Sequence, residues 1–396
     1  MLRLTRRSFG LAAAIAAANL GAASHPRYRY LFVHAMGGWD PLCVFAPAFD
    51  SGLIQMEPEA SPVTVGQLTL VDGPGRPSVV PFFERWGERC LLVNGLSTRS
   101  VNHETCQIVA LTGTTSDATS DWPAHLAAAA AGDYYMPHLV LGGPSFPGPH
   151  AVHVARAEGL VQEAIRGTLD TRVDTPFARP SATSRARVDR YLLDRARDTT
   201  LPGYAMAVER AEALTALDDL ALPSFAERRG QIDAALTALA RGLSRCVTVS
   251  DDFAWDTHSN NEAQAYLFDE LFRDLDALLD GLTTTPSPDG GTLADDTIVV
   301  VLSEMGRTPA FNATGGRDHW PFTSAMLFGP GLRTGRTLGA FDAGYLGVGV
   351  DPRTAELDPS RVGIDAKSLG ATLLALGDVD PSALLPGAVI LEGILA

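Results

Sequence analysis

Positive charge is what this sequence has least of: 31 Lys and Arg stand against 46 Asp and Glu, a formal net charge of -15 over 396 residues. Phosphate backbones are held by clustered Lys and Arg, so this balance argues against a nucleic acid as partner. Cysteine is also sparse. Cys43, Cys90, Cys106 and Cys246 are scattered without C-x-x-C spacing. An even count permits disulfides in an exported protein. Cys43, Cys90 and Cys246, however, lie in or beside apolar runs, where a thiol reads as a small buried hydrophobe. No C-x-x-C-H segment is present, and no Gly-x-Gly-x-x-Gly follows the first apolar strand-like run. Both absences speak against a redox or dinucleotide enzyme. Beyond the N-terminus no stretch is long and apolar enough for a permanent membrane span. No internal repeat or domain boundary stands out.

The N-terminus carries Thr5-Arg6-Arg7-Ser8-Phe9, then an apolar run over 10–20 and the small residues Gly21-Ala22-Ala23-Ser24. This pattern predicts a twin-arginine export signal over 1–23, read by the export machinery and removed. A single mature domain over 24–396, periplasmic or secreted, is the expectation. Loss of Arg3, Arg6 and Arg7 would take the charge to -15 - 3 = -18.

What the sequence has is strands alternating with helices. Strand-like runs are read at 28–35, 90–96, 138–141, 246–250, 297–302 and 324–328. Helices are read at 80–86, 102–111, 123–131, 184–198, 225–243, 259–282 and 367–376. The helix from Ser259 is expected to open with a Ser259/Glu262 capping box. Residues 53–77 read as a turn-rich excursion, 145–180 as a flap without period, and 181–243 as a helical insertion or outer layer. The continuous apolar run Thr297-Ile298-Val299-Val300-Val301-Leu302 suits a parallel strand buried on both faces. The predicted class is α/β, a doubly wound, mostly parallel sheet flanked by helices.

Five polar clusters, each read as following a strand, carry the chemistry: Gly37-Gly38-Trp39-Asp40, Asn102-His103-Glu104-Thr105, Trp255-Asp256-Thr257-His258, Ser303-Glu304-Met305-Gly306-Arg307 and Arg317-Asp318-His319. Side chains after the strands of such a sheet meet at its carboxyl edge, where these folds bind ligands. Asp40, His103, Asp256, His258, Glu304, Asp318 and His319 are nitrogen and oxygen donors suited to a divalent metal, zinc first, with manganese, magnesium and calcium as alternatives. Asp256 and His258, two apart, face one way in extended chain. Asp318 reads as a ligand or as the group orienting an imidazole. Glu304 reads as a ligand or as an ion-pair partner of Arg307, and Arg307 as a clamp for an anionic group. Thr98, Ser100 and Thr105 surround His103 at a predicted helix start, and a hydroxyl there would be an activated nucleophile. His34 reads as a core histidine, and His125, His138, His150 and His153 show no site-like spacing.

The order GGWD, Arg99-Ser100 with His103, WDTH, SEMGRT and GGRDHW, behind a twin-arginine signal, resembles an exported bacterial family of unknown function that is sulfatase-like and grouped with the alkaline-phosphatase superfamily. The resemblance runs over about 30–376 and is most specific in SEMGRT and GGRDHW. It implies a central sheet with a metal at its carboxyl edge and hydrolysis of a small anionic phosphate or sulfate ester through a Ser, Thr or formylglycine nucleophile. By that comparison Asp40 stands for the first-strand metal ligand, Asp256 and His258 for the paired ligands, Glu304 for a superfamily Asp, and His319 for the last histidine. Glu304-Met305 replaces the superfamily Asp-His pair, so one histidine is missing. No C-x-P-x-R segment is present, which speaks against formylglycine. The alternative to a hydrolase is a non-catalytic binding or assembly protein of the cell envelope.

Overall fold

The computed structural model describes residues 27–157, 190, 227–251 and 254–396. The expected signal segment lies outside these residues, as do most of the 181–243 insertion and the flap beyond residue 157.

The strands, in chain order, are β1 (Arg29–His34), β2 (Ser61–Val65), β3 (Leu68–Asp72), β4 (Cys90–Ser97), β5 (His138–Val140), β6 (Val154–Arg156), β7 (Cys246–Ser250), β8 (Thr297–Leu302), β9 (Gly306–Arg307), β10 (His319–Trp320), β11 (Phe322–Phe328) and β12 (Arg336–Leu338). Eight of them form one sheet in the order β12-β4-β11-β8-β1-β7-β5-β6. β1 pairs in parallel with β7 and β8 at its two sides. β5 is parallel to β7 and β6, and β12 to β4. β11 alone runs against both neighbours, β4 and β8.

The helices are α1 (Val79–Trp86), α2 (His103–Thr112), α3 (Trp122–Ala129), α4 (Arg228–Ala240), α5 (Glu262–Thr284) and α6 (Ala366–Leu376). Strand alternation divides the core between them. Leu31 and Val33 of β1 and Val299 and Val301 of β8 face α1, α4 and α5. Tyr30 and Phe32, with Ile298, Val300 and Leu302, face α2, α3 and α6. The sheet is thus covered on both sides, which is why its central strands are largely apolar. In α5, Phe268, Leu271, Phe272, Leu275, Leu278, Leu279 and Leu282 form the buried stripe, and each such side chain contributes about 1.5–3 kcal/mol on burial. The opposite face of α5 is acidic, and there Arg85 pairs with Asp276 at 2.9 Å and with Asp280.

Four local readings are corrected. The 53–77 excursion holds the hairpin β2–β3: alternating Pro62-Val63-Thr64-Val65 and Leu68-Thr69-Leu70-Val71 are joined across Gly66-Gln67, and Gly66 supplies the positive φ of 58° that the turn requires. Val154–Arg156 is a parallel edge strand beside β5. α5 starts at Glu262 after Asn261, whose side chain makes no capping bond, and the Glu262 amide donates instead to Asn260 Oδ1 at 3.0 Å, so the Ser259 capping box does not form. The fifth polar cluster precedes a strand rather than following one.

All four cysteines are free and buried. Among the described residues no helix is long and apolar enough to cross a membrane.

Candidate metal centre

The sheet direction places the site. β1, β4, β7 and β8 run in parallel, so the loops that follow them open at one edge. The Asp318-His319 pair belongs to the same edge because it leads into β11, the strand of opposite direction. The short ladder of β9 with β10 then sets His319 opposite Arg307.

Three imidazoles and one carboxylate converge there. One ligand atom each from His103, Asp256 and His319 lies within 4.8 Å of the others. Nε2 of His258 is 2.8 Å from Nε2 of His319 and 3.0 Å from Oδ1 of Asp256. Nε2 of His319 is 3.1 Å from the same Oδ1, and Nε2 of His103 is 3.5 Å from Oδ2.

The other nitrogen of each ring is held from behind. Nδ1 of His103 lies 2.8 Å from Glu304 Oε1, Nδ1 of His258 3.1 Å from Asp318 Oδ1, and Nδ1 of His319 2.7 Å from the Val101 carbonyl. A carboxylate or carbonyl only accepts, so each Nδ1 carries a proton and Nε2 is the ring nitrogen turned toward the centre. Rings tied in this way are the usual arrangement of metal-ligating histidines. The donor set, nitrogen with one carboxylate oxygen, fits a zinc-type divalent ion.

Backbone and buried charge hold these groups in place. Asn102 caps α2 by accepting from Thr105 N at 3.0 Å, which sets His103 in the first turn. Trp255 is fully buried against Trp39 and Phe268 and anchors the loop carrying Asp256 and His258. Asn312 donates to the His258 carbonyl at 2.8 Å and to Asp318 Oδ1 at 3.2 Å.

Arg307 has no exposed surface. It donates to the carbonyls of Gly38 at 2.7 Å, Arg317 at 3.1 Å, Trp255 at 2.9 Å and Gly37, and to Asp256 Oδ1 at 2.8 Å. Its role is to gather three loops and fix the Asp256 carboxylate. The expected clamp on an anionic ligand is not what this geometry provides, because every donor nitrogen is already engaged.

Burial pushes the Asp256 carboxyl up, but its contacts with Arg307 and His319 and the nearby positive charge outweigh that and hold it at about 2. The hydrogen bond to Glu304 raises the His103 imidazole against the opposing effect of its partial burial. The contact with His258 holds Asp318 below the usual carboxylate range.

Two expected ligands point elsewhere. Asp40 is fully buried; its carboxylate accepts from Leu42 N at 3.0 Å and Asn261 Nδ2 at 2.9 Å and pairs with Arg317 at 3.0 Å. Glu304 is buried beneath His103 and accepts from Gly37 N at 2.9 Å. It stands behind the His103 ring. Among the hydroxyls, Ser100 Oγ accepts from Asn102 N at 3.1 Å, and the buried Thr98 hydroxyl donates to the Pro321 carbonyl at 3.2 Å. Thr105 lies in the first turn of α2, its amide used by the cap.

Sequence reasoning missed the Val101 carbonyl and Asn312. A backbone carbonyl leaves no mark in sequence. Asn312 had one, the Asn-x-x-Gly-Gly stretch ahead of Arg317. His34 is a buried core histidine whose imidazole burial lowers to about 4.

Several solved structures are similar to this chain. A putative sulfatase from Bacteroides thetaiotaomicron is 10% identical, over 93% of this chain and 74% of that one, with a TM-score of 0.44. The PsFucS1 sulfatase from Pseudoalteromonas sp. is 11% identical over 99% and 76%, TM-score 0.43. A protein in the alkaline phosphatase superfamily from Vibrio parahaemolyticus is 10% identical over 89% and 67%, TM-score 0.37. No curated protein matches the sequence. A family model described as "Protein of unknown function (DUF1501)" matches residues 124–385, a span that holds Asp256, His258, Glu304, Arg307, Asp318 and His319. With about two-thirds of its length matched, the chain belongs to the DUF1501 family.

Proposed function

We propose that this protein is an exported, metal-dependent hydrolase of phosphate or sulfate esters, built around one divalent ion held by His103, Asp256, His258 and His319. The observation that carries this reading is the meeting of three Nε2 atoms and one carboxylate, each ring tied from behind through Nδ1, a donor set that suits a divalent cation. When bound, a zinc-type ion would polarise an ester oxygen and lower the pKa of a water. Glu304, Asp318 and the Val101 carbonyl orient the imidazoles, and Arg307 keeps Asp256 ionised. The N-terminus of the ten-residue helix α2 opens beside His103, and its partial positive charge favours an anionic ester at this edge. With Ser100 Oγ accepting from a backbone amide and the Thr98 hydroxyl bonded away, the reading takes water as the attacking group. The twin-arginine segment supports export to the periplasm or beyond.

Turnover of aryl phosphates and aryl sulfates by the purified protein, with zinc or manganese added, tests the proposal. Metal-stimulated turnover that disappears in His319→Ala and Asp256→Ala is expected. A metal-loaded protein that turns over neither class would leave the second reading, a non-catalytic metal-binding protein of the envelope. One observation favours that alternative: Arg307, the residue expected to hold substrate, is spent on backbone carbonyls.

A further inference from the structure

Three histidines outside the metal centre, His125, His150 and His153, lie together. His125 belongs to α3, and the other two to the short 3-10 helix Gly148–His153. Nε2 of His150 is 3.2 Å from Nδ1 of His125, and the two rings cross at 74° with centroids 5.0 Å apart. Residues three apart eclipse on a 3-10 helix, so His153 falls on the same side as His150, its ring centroid 6.3 Å away.

Asp121 ties the two elements to each other. As N-cap of α3 it accepts from Ala124 N at 2.8 Å, and its second oxygen accepts from Phe146 N at 2.6 Å and Ser145 Oγ at 3.0 Å. Asp121 N donates to the Phe146 carbonyl at 2.7 Å, and Ser120 Oγ to the Pro147 carbonyl at 2.8 Å. A Cβ at Gly148 would lie 2.9 Å from the Ala118 carbonyl oxygen, so the 3-10 helix is seated closely on the chain that leads into α3. His125 follows in the first turns of α3 and is only 9% exposed, while His150 and His153 are partly exposed. The backbone thus sets the two facing nitrogens, and an ion can reach them past the outer rings.

The spacing is that of ligands. A four-coordinate ion bonded to imidazole at about 2.0–2.1 Å sets neighbouring nitrogens about 3.3–3.4 Å apart. In the pair as it stands, one facing nitrogen carries the proton of the contact. Moving that proton to the other nitrogen of the same ring frees both lone pairs with no change in charge. Among the described residues, the centre is the group of three with ligand atoms mutually within 4.8 Å, so His153 joins the pair by turning its ring. The donors are imidazoles, because both Asp121 oxygens are engaged. Imidazole suits copper, nickel and zinc, whereas magnesium and calcium take oxygen.

We propose that His125 and His150, with His153 as third ligand, form a second metal site for a late first-row ion, copper(II) foremost because it heads the affinity order for nitrogen donors. The site shares no residue with the centre and is independent of the hydrolase reading. With three ligands against four it holds its ion more loosely than the centre, and loses it on gel filtration.

Saturating titration of the purified protein with copper(II), followed by calorimetry and electron paramagnetic resonance, tests this. His150→Gln should take up one equivalent fewer than the parent, whatever the centre binds, so failure here is told apart from failure of the centre. His153→Gln should weaken that equivalent about tenfold or more, at least the cost of losing a group behind a ligand. It also keeps the test independent of how well His150→Gln folds. The difference spectrum between parent and His150→Gln should show nitrogen hyperfine structure, and excess calcium should not displace the ion. Equal uptake by a folded His150→Gln, unchanged affinity in His153→Gln, a difference spectrum with oxygen ligands alone, or displacement by calcium would each overturn the proposal.

Discussion

Nε2 of His258 stands 2.8 Å from Nε2 of His319, while the Nδ1 of each ring is already committed, one to Asp318 and the other to the Val101 carbonyl. The Asp256 oxygen lies 3.0 and 3.1 Å from the same two nitrogens, so three groups able to donate a lone pair meet at one point, the arrangement that a divalent ion would hold together.

Arg307→Lys should be among the most damaging conservative changes in the protein. The guanidinium reaches four carbonyls and Asp256 from a fully buried position. An ammonium cannot span them, and stranded carbonyls make the loss about 2–4 kcal/mol. Denaturant unfolding measures this. A variant as stable as the parent would show that the loops do not depend on Arg307.

Glu304→Gln should leave the fold intact and reduce metal affinity about 10–100-fold, the usual effect of removing the group behind a ligating histidine. Competition with a chromogenic chelator reads the affinity directly. Unchanged affinity would mean that His103 is not a ligand.

The sheet and the membership of the site were largely legible, and the uses of the residues were not. Apolar runs such as Thr297–Leu302 identify buried strands whatever their partners. Asp40 was read as a ligand because it follows two glycines at a strand end. The backbone there, with φ of 112° at Gly37 and 88° at Gly38, instead carries the acid inward to Arg317 and Asn261. Arg307 carries the same charge whether it faces a ligand or a ring of carbonyls, and sequence does not distinguish the two. Asp318-His319 reached the site through the antiparallel course of β11, which a pattern of apolar residues does not encode.

Gly316→Ala should displace His258 without touching it chemically. A Cβ at Gly316 would lie 2.1 Å from the carbonyl carbon and oxygen of His258, both backbone atoms that cannot swing aside. Overpacking of this kind costs about 1–3 kcal/mol, and metal affinity should fall with it. Thermal unfolding and metal titration on the same variant check both parts; an unaffected metal affinity would remove His258 from the ligand set.

A pH-dependent contribution to stability is expected from Asp121, which contacts none of the four groups of the centre through the hydrogen bonds it makes. Burial pushes its carboxyl up to about 6, against donors from Phe146 N at 2.6 Å, Ala124 N at 2.8 Å and Ser145 at 3.0 Å. Its ordinary value is 3.8, so between the two values the folded chain holds more protons at this group than the unfolded chain. Stability from Asp121 therefore falls as pH rises through that window and is level above it. Asp121→Asn should flatten this part of the profile. A denaturation series across the window that keeps the same slope in the variant would assign the dependence to other groups.

Metal content of the purified protein, prepared without chelator, bears most directly on the central claim. The account predicts close to one zinc, manganese or other divalent ion per chain, retained through gel filtration and lost in Asp256→Ala and His319→Ala. A folded parent protein that holds no ion and takes up none on titration would contradict it.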